Sequence, residues 1–152
     1  MAKIDEFKIT FTNQDITCRV RRIPGVNEHY FDWFVSNLPT PETIWTHAII
    51  AGNIGYSHCL EMKHHFPYDY NDSQRNVYLN ECEPGVFTMF CGAGKTGMVI
   101  TKYGPVCTEP MCYPAFAQLA EEDAKKFYEA HIQAWDATYA TKMPEPLVRF
   151  EL

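Results

Sequence analysis

The sequence lacks any uninterrupted apolar run near the roughly 20 residues that a membrane-spanning helix needs. It also lacks a basic cluster, because 13 Lys and Arg residues are scattered among 19 Asp and Glu residues, giving a net charge of −6. Nucleic-acid backbones are bound by concentrated Lys and Arg, so we expect neither a nucleic-acid nor a membrane partner. The first eleven residues contain no apolar signal-peptide core, which predicts a cytoplasmic protein.

Cysteine motifs are also missing. No C-x-x-C pair occurs, and the closest spacing, from Cys107 to Cys112, is a weak zinc signal. The six cysteines accompany no export signal, which favours a reduced protein whose thiols are mostly buried. The sequence therefore predicts no disulfide framework.

A nucleotide-binding P-loop is incomplete. The stretch from Cys91 to Gly97 ends in the G-K-T of that motif, but Met89 stands where its first glycine belongs. A P-loop also needs a helix after its threonine, whereas residues 98–103 (MVITKY) have the β-branched, period-two pattern of a strand. We interpret the stretch as a glycine-rich hairpin with Lys95 near its tip, and we expect no P-loop nucleotidase.

The 152 residues, of which 46% are hydrophobic, predict a single domain over 1–152. Alternating apolar residues in 7–20 indicate a β-hairpin, and 27–37 has helical spacing with Asn27 as a plausible N-cap. The runs 43–51 and 54–60 have strand character, and a long aromatic loop follows over 61–80. A helix of about six turns is predicted to present one face, which comprises Phe116, Leu119, Ala120, Phe127, Tyr128, His131, Trp135 and Tyr139.

Several short motifs occur in a characteristic order: Leu38-Pro39, the stretch THAIIAGNIGY from Thr46 to Tyr56, Pro84-Gly85, Tyr103-Gly104 and Trp135. In this order the chain resembles a cyclophilin-like small-barrel family of bacteria that is related to cucumopine synthase. The resemblance implies an α+β fold: a small, mostly antiparallel β-barrel with a short N-terminal helix and a long C-terminal helix. The Phe-His-Arg and Gln-Gly-Gly signature of prolyl isomerases is absent, so we do not expect that activity.

Cucumopine synthase condenses an amino acid with a 2-oxo acid and closes a ring. The resemblance thus implies a small-molecule enzyme of the lyase, isomerase or synthase type, working on a carboxylate- or carbonyl-bearing metabolite without cofactor or metal. Lys95-Thr96-Gly97 departs from the carboxylate-bearing turn of such relatives, which leaves the reaction itself open. The aromatic residues of the last helix make a homodimer plausible.

Three residues are the candidate catalytic groups. His47 lies in the middle of an apolar strand, where burial adjusts an imidazole for proton transfer, although a core histidine is the alternative. Tyr56 and His58 alternate on the next strand, so pairing of the two strands is expected to bring all three together. Tyr56 would donate a hydrogen bond to an oxyanion, and His58 would shuttle a proton.

The candidate substrate-binding residues surround this group. Arg75 and Lys95 are expected to hold a substrate carboxylate, although a solvated surface charge is the alternative for each. The remaining candidates are Trp45, Asn53, Tyr103 and Glu109.

Two other functions remain open. His58, Glu61, His64 and His65 form H-x-x-E-x-x-H-H, which carries metal-ligand residue types but differs from the H-E-x-x-H zinc motif. A metal-dependent hydrolase or lyase is therefore one alternative. A non-catalytic module that binds a small molecule or peptide is the other.

Overall fold

A computed structural model describes residues 3–47, 52–90, 96–141 and 144–152. The strands are β1 Glu6–Phe11, β2 Ile16–Arg22, β3 Thr43–Ile44, β4 Thr46–His47, β5 Gly52–Glu61, β6 Asn76–Tyr78, β7 Val86–Met89, β8 Thr96–Cys107, β9 Cys112–Leu119 and β10 Leu147–Glu151. The α-helices are α1 Glu28–Ser36 and α2 Ala124–Asp136. Short 3-10 segments span Tyr70–Asp72 and Glu121–Asp123, and a π-helical segment spans Ala137–Thr141. Neither described α-helix is long and apolar enough to cross a membrane.

One antiparallel sheet organises the molecule. Its strand order is β3-β10-β1-β2-β9-β7-β8-β5-β4, and β6 adds to β9 beside this path. The β1–β2 hairpin was predicted correctly, with Phe7 opposite Val20 and Ile9 opposite Cys18. The predicted strand after the glycine-rich stretch is also confirmed, since β8 begins at Thr96 and pairs with β7. Residues 91–95, which include Lys95, lie outside the described residues.

The predicted closed β-barrel is wrong, because the sheet is open. Its path ends at β3 on one side and at β4 on the other, and no pairing of described residues joins these ends. The run from Thr43, predicted as one strand, divides around Trp45. Strands β3 and β4 are separated by one residue, whereas an antiparallel pair needs a turn of about two residues. The two strands therefore cannot pair with each other. Each pairs elsewhere, β3 with β10 and β4 with β5.

Both helices cover the same face of the sheet. The α1 helix packs Phe34 against Phe7 and Phe116, at ring-centroid distances of 4.9 and 5.1 Å. The α2 helix packs Phe127 against Phe11 and Phe87, at 6.1 and 5.6 Å. We call this covered face the inner face. The opposite, outer face has its own small apolar cluster, which includes Ile54, Val86 and Ile100.

The last helix is shorter than predicted. Phe116 and Leu119 belong to strand β9, and Ala120 follows it, so the helical face begins only with α2. Strand β9 lies between β2 and β7 and is buried on both faces, with Phe116 in the inner core and Ala115 in the outer cluster. A strand buried on both faces has no polar alternation, so its apolar spacing resembles that of a helix.

The long loop after β5 is fastened to α1. Trp33 Nε1 donates a hydrogen bond to the His65 carbonyl at 3.1 Å, and the Tyr30 hydroxyl donates to the Asp69 carbonyl. The His64 amide donates to Asn37 Oδ1 at 2.8 Å. These bonds hold the loop against the helix, away from the β4–β5 edge.

Candidate active site

His47 is the predicted catalytic residue that the structure buries most clearly. It ends β4, is 3% exposed, and meets the rings of Tyr103 and His131 edge to face at 5.5 and 5.6 Å. The Tyr139 hydroxyl donates to the His47 carbonyl at 2.6 Å, which fixes the backbone. Burial lowers the pKa of His47 from 6.5 to about 4, so the ring is neutral at pH 7.

Neither ring nitrogen of His47 has a hydrogen-bond partner among the described residues. Three neighbouring side chains also have a buried polar atom without a hydrogen-bond partner among these residues. Of the six buried side-chain atoms that the described part of the chain leaves unpaired, five lie around the β4–β5 pair, and the sixth is Gln14 Oε1. These five are Trp45 Nε1, His47 Nδ1 and Nε2, Ser57 Oγ and His131 Nε2. We call these four side chains the histidine patch.

Strand register brings the histidine patch together. His47 lies opposite Gly55 in the β4–β5 pair, and cross-strand partners share a face. Ser57 follows two positions later on the same face of β5. Gly55 also admits His131 from α2, because a Cβ at this position would stand 2.7 Å from His131 Nε2 and would overlap Trp45 Nε1. The absent side chain of Gly55 is therefore what lets both rings reach the sheet.

His131 has a defined tautomer. Its Nδ1 lies 2.8 Å from the Phe127 carbonyl, which can only accept a hydrogen bond, so Nδ1 carries the proton. Tyr103 stacks on the imidazole at 4.1 Å, and Phe127 and Phe11 meet it edge-on. Complete burial holds the pKa of His131 well below its ordinary value. Its Nε2 is therefore an unprotonated acceptor.

Tyr103 and Asn53, both predicted to bind substrate, border the histidine patch. The Asn53 side chain hydrogen-bonds to Tyr103, and Asn53 Oδ1 accepts from the Val106 amide at 3.0 Å. Burial raises the pKa of the Tyr103 hydroxyl, so it remains protonated at neutral pH. Tyr128 lies beyond Tyr103, with its ring centroid 5.9 Å away.

A groove of about 600 Å³ runs along the exposed side of α2. It is lined by Lys125, Tyr128, Glu129, Ile132 and Gln133. The histidine patch is on the opposite, buried side of the same helix, where His131 faces the sheet. Tyr128 contributes to both surroundings, since it lines the groove and contacts Tyr103.

Tyr56 does not join His47. Tyr56 pairs with Thr46, so it projects to the sheet face opposite His47 and packs with the outer cluster. The expected convergence of the two side chains is therefore not found. The backbone of His58 belongs to β5, but its side chain lies outside the described part.

The charged candidates lie elsewhere. Arg75 is exposed. Its carbonyl accepts hydrogen bonds from the Asn27 side chain and from the amide of Ala115 in β9. Strand β9 lies three strands away from β5 in the sheet. Glu109 lies in the turn before β9. Burial raises the pKa of Tyr113, a residue packed against the outer cluster, and the nearby Glu109 carboxylate adds to this effect. In the described residues, neither contacts the histidine patch.

The metal-ligand pattern does not form a cluster in the described residues. Glu61, His64 and His65 are exposed, and no group of three or more His, Cys, Asp or Glu side chains in this part of the chain is placed to hold a metal ion. The backbone of both residues is fastened to the α1 region, since the His64 amide donates to Asn37 and the His65 carbonyl accepts from Trp33.

No protein-family profile and no curated protein matches the sequence. Solved structures with a similar fold were found. The fold is similar to that of McbB. That protein was solved in complex with tryptophan, and it superimposes with a TM-score of 0.75 at 20% sequence identity. The similarity covers 95% of this chain but 44% of McbB, so the chain spans less than half the length of that protein. At this identity the similarity shows a shared fold.

Sequence reasoning missed two members of the histidine patch. His131 was assigned only to an apolar helix face, and Ser57 was not selected. The approach of His131 to Gly55 depends on tertiary packing and carries no local signal.

Proposed function

We propose that this chain is a cofactor-independent enzyme that uses acid–base catalysis on a small carbonyl- or carboxylate-bearing metabolite. The observation that carries this proposal is the concentration of unpaired polar atoms in the histidine patch. Each buried polar atom without a partner costs about 1–3 kcal/mol, and native proteins contain few of them. Five in one buried cluster are an unusual concentration, and a substrate that supplies partners to some of them would remove part of this cost.

His47 is the proposed proton-transfer group. Its ring is neutral at pH 7 and has a free lone pair, but burial lowers its pKa to about 4 and makes it a weaker base than an ordinary imidazole. His47 would take a proton from a carbon or nitrogen beside the substrate carbonyl. Trp45 Nε1–H, a donor without a partner among the described residues, would stabilise the negative charge that develops on the carbonyl oxygen. In this proposal Trp45 takes the role that the sequence suggested for Tyr56.

The substrate class is proposed as an amino acid together with a 2-oxo acid. The resemblance to the cucumopine synthase family implies this pairing, and the tryptophan bound to McbB supports an aromatic amino acid. The histidine patch fits an uncharged polar portion of a substrate, since its members are neutral. Lys95, which lies outside the described residues, is retained from the sequence as the proposed carboxylate partner.

The test is a turnover assay with panels of amino acids and 2-oxo acids, read by mass spectrometry of the products. We expect a condensation product with at least one pair. The His47→Gln protein should turn over roughly 10²- to 10⁴-fold more slowly. His29→Gln is the matched control, because His29 lies on α1 and bonds the Asp72 carbonyl.

Two results would contradict the proposal. Wild-type turnover by His47→Gln protein would remove His47 from the reaction. Tight binding of an amino acid without any chemical change after long incubation would instead indicate a non-catalytic binding module. Calorimetry on the same panel measures that binding.

A further inference from the structure

We propose that His131 is a positioning residue whose Nε2 accepts a hydrogen bond from a ring N–H of His47 in the working protein. The bond would fix the tautomer of His47 and leave its other nitrogen unprotonated for the substrate. This inference rests on the proposed function, in which His47 transfers the proton. It assigns His131 a role beyond packing.

The first argument is complementarity. His131 Nδ1–H is committed to the Phe127 carbonyl, so Nε2 can only accept. Neutral His47 has one N–H, and neither of its nitrogens has a partner among the described residues. The ring centroids are 5.6 Å apart and the ring planes are perpendicular. At this spacing a rotation of the His47 ring would pair an unused donor with an unused acceptor.

The second argument is the rigidity of His131. Stacking on Tyr103 at 4.1 Å, edge contacts with Phe127 and Phe11, and the bond to the Phe127 carbonyl hold the ring from several sides. A residue fixed in this way can orient a neighbour without touching the substrate. When His47 takes up the substrate proton, its other N–H remains bonded to His131 Nε2, and no further proton has to move.

Among the described titratable groups around His47, His131 is the one available to accept its hydrogen bond and orient its ring. Within the described part of the chain, the other titratable side chains in contact with the two histidines are Tyr103, which stacks on His131, and Tyr139, which bonds the His47 carbonyl. No Asp or Glu of the described residues forms an ion pair with either histidine. A carboxylate is therefore not present in the described surroundings to orient His47, and the neutral imidazole is the available acceptor.

Trp45 is the competing donor. Its Nε1–H also lies beside Gly55 and lacks a partner among the described residues. A Trp45-to-His131 bond would saturate Nε2 and leave His47 without an orienting group. The test must therefore distinguish the two donors.

The experiment is ¹⁵N NMR of labelled wild-type protein at neutral pH, without substrate. We expect a nitrogen–nitrogen coupling across a hydrogen bond between His47 and His131 Nε2, and a proton on His131 Nδ1. Trp45→Phe should leave this coupling unchanged, because the indole is not its donor. Coupling from Trp45 Nε1 to His131 Nε2, or a free His131 Nε2, would overturn the inference. Since no turnover is measured, these outcomes are independent of whether the proposed reaction is correct.

Two substitutions give the kinetic test. His131→Asn keeps a donor for the Phe127 carbonyl and removes Nε2, so we expect kcat to fall by up to about 100-fold with little change in KM. His131→Gln loses the donor but places an amide near the Nε2 position, so it should recover part of the rate. Equal losses in both variants would show that His131 contributes only packing.

Discussion

At the scale of single residues, Gly55 sets the distance between the sheet and α2. His131 Nε2 and Trp45 Nε1 approach the space that any larger side chain would fill. Ser57, two residues later on the same strand face, has the opposite character, because its buried hydroxyl has no partner among the described residues. An added atom at Gly55 would thus overlap its neighbours. The hydroxyl of Ser57 forms no hydrogen bond with the described residues that would stabilise the fold.

Opposite effects on stability follow for Gly55→Ala and Ser57→Ala. We expect Gly55→Ala to lower the free energy of unfolding by roughly 1–3 kcal/mol, because a methyl group overpacks against two rings. Ser57→Ala should leave it unchanged or raise it by up to about 1 kcal/mol, since it removes an unsatisfied hydroxyl. Urea denaturation of both variants measures these changes. A stable Gly55→Ala protein would mean that α2 sits farther from β5 than described.

The pH dependence of stability reports the burial of His47. Its pKa is about 4 in the folded protein against an ordinary 6.5, so below pH 6.5 the unfolded chain binds a proton that the folded chain does not. The free energy of unfolding should therefore fall between pH 6.5 and 4, by up to about 3 kcal/mol from this residue. His131 contributes with the same sign. Urea titrations across this range should show a weaker pH dependence for His47→Gln, and an unchanged slope would place His47 in water.

The candidate site was only partly predictable at this scale. His47 could be selected because a polar ring in an apolar strand is conspicuous. Its separation from Tyr56 could not be read from the sequence, because register decides which residues share a face, and the split at Trp45 sets that register. His131 could not be selected from the sequence, because its role depends on which strands α2 packs against.

At the scale of elements, alternation predicted the β1–β2 hairpin because that hairpin has distinct buried and exposed positions. The same reasoning failed for β9, whose interior position hides the period of two. The loop after β5 gave no sign of its attachment to α1. Besides the bonds from Tyr30, Trp33 and Asn37, the attachment involves Asn27, the residue before α1, which has a positive φ of 49° and makes no side-chain cap.

Asn27 allows a test of that attachment. Its buried amide donates to the Ala115 carbonyl at 2.6 Å and accepts from the Gln74 amide at 2.7 Å. Asn27→Gly should lower the free energy of unfolding by at least about 2 kcal/mol, because buried backbone groups lose their partners. Asn27→Ala should cost about 1 kcal/mol more, since alanine also resists the positive φ. Urea denaturation ranks the two, and equal losses would argue against backbone strain.

At the scale of the whole molecule, strands β3 and β4 form the two ends of the open sheet, and Trp45 connects them along the chain. The indole is fully buried and packs edge-on against Phe11 and His131. The mostly antiparallel arrangement was implied by the family resemblance, and the structure has it. The open form of the sheet was not predictable, because it depends on which strands pair with the two-residue strands β3 and β4 on either side of Trp45.

Trp45→Ala should affect both ends of the sheet together. We expect a loss of roughly 3–5 kcal/mol in the free energy of unfolding and faster amide hydrogen exchange in both β3 and β4. Trp135→Ala is the control, because Trp135 is 39% exposed on α2 and its loss should matter by no more than about 0.5 kcal/mol. Faster exchange at only one end would contradict the joint role of Trp45.

The junction at Trp45 also sets a limit on size. Ile44 and Thr46 belong to opposite ends of the sheet but are two residue steps apart, so their Cα atoms cannot separate by more than about 7 Å. However the sheet fluctuates, its two ends stay within that reach at this point. The backbone of Trp45 fills the space between these two Cα atoms, so the boundary of the sheet admits no molecule at this point.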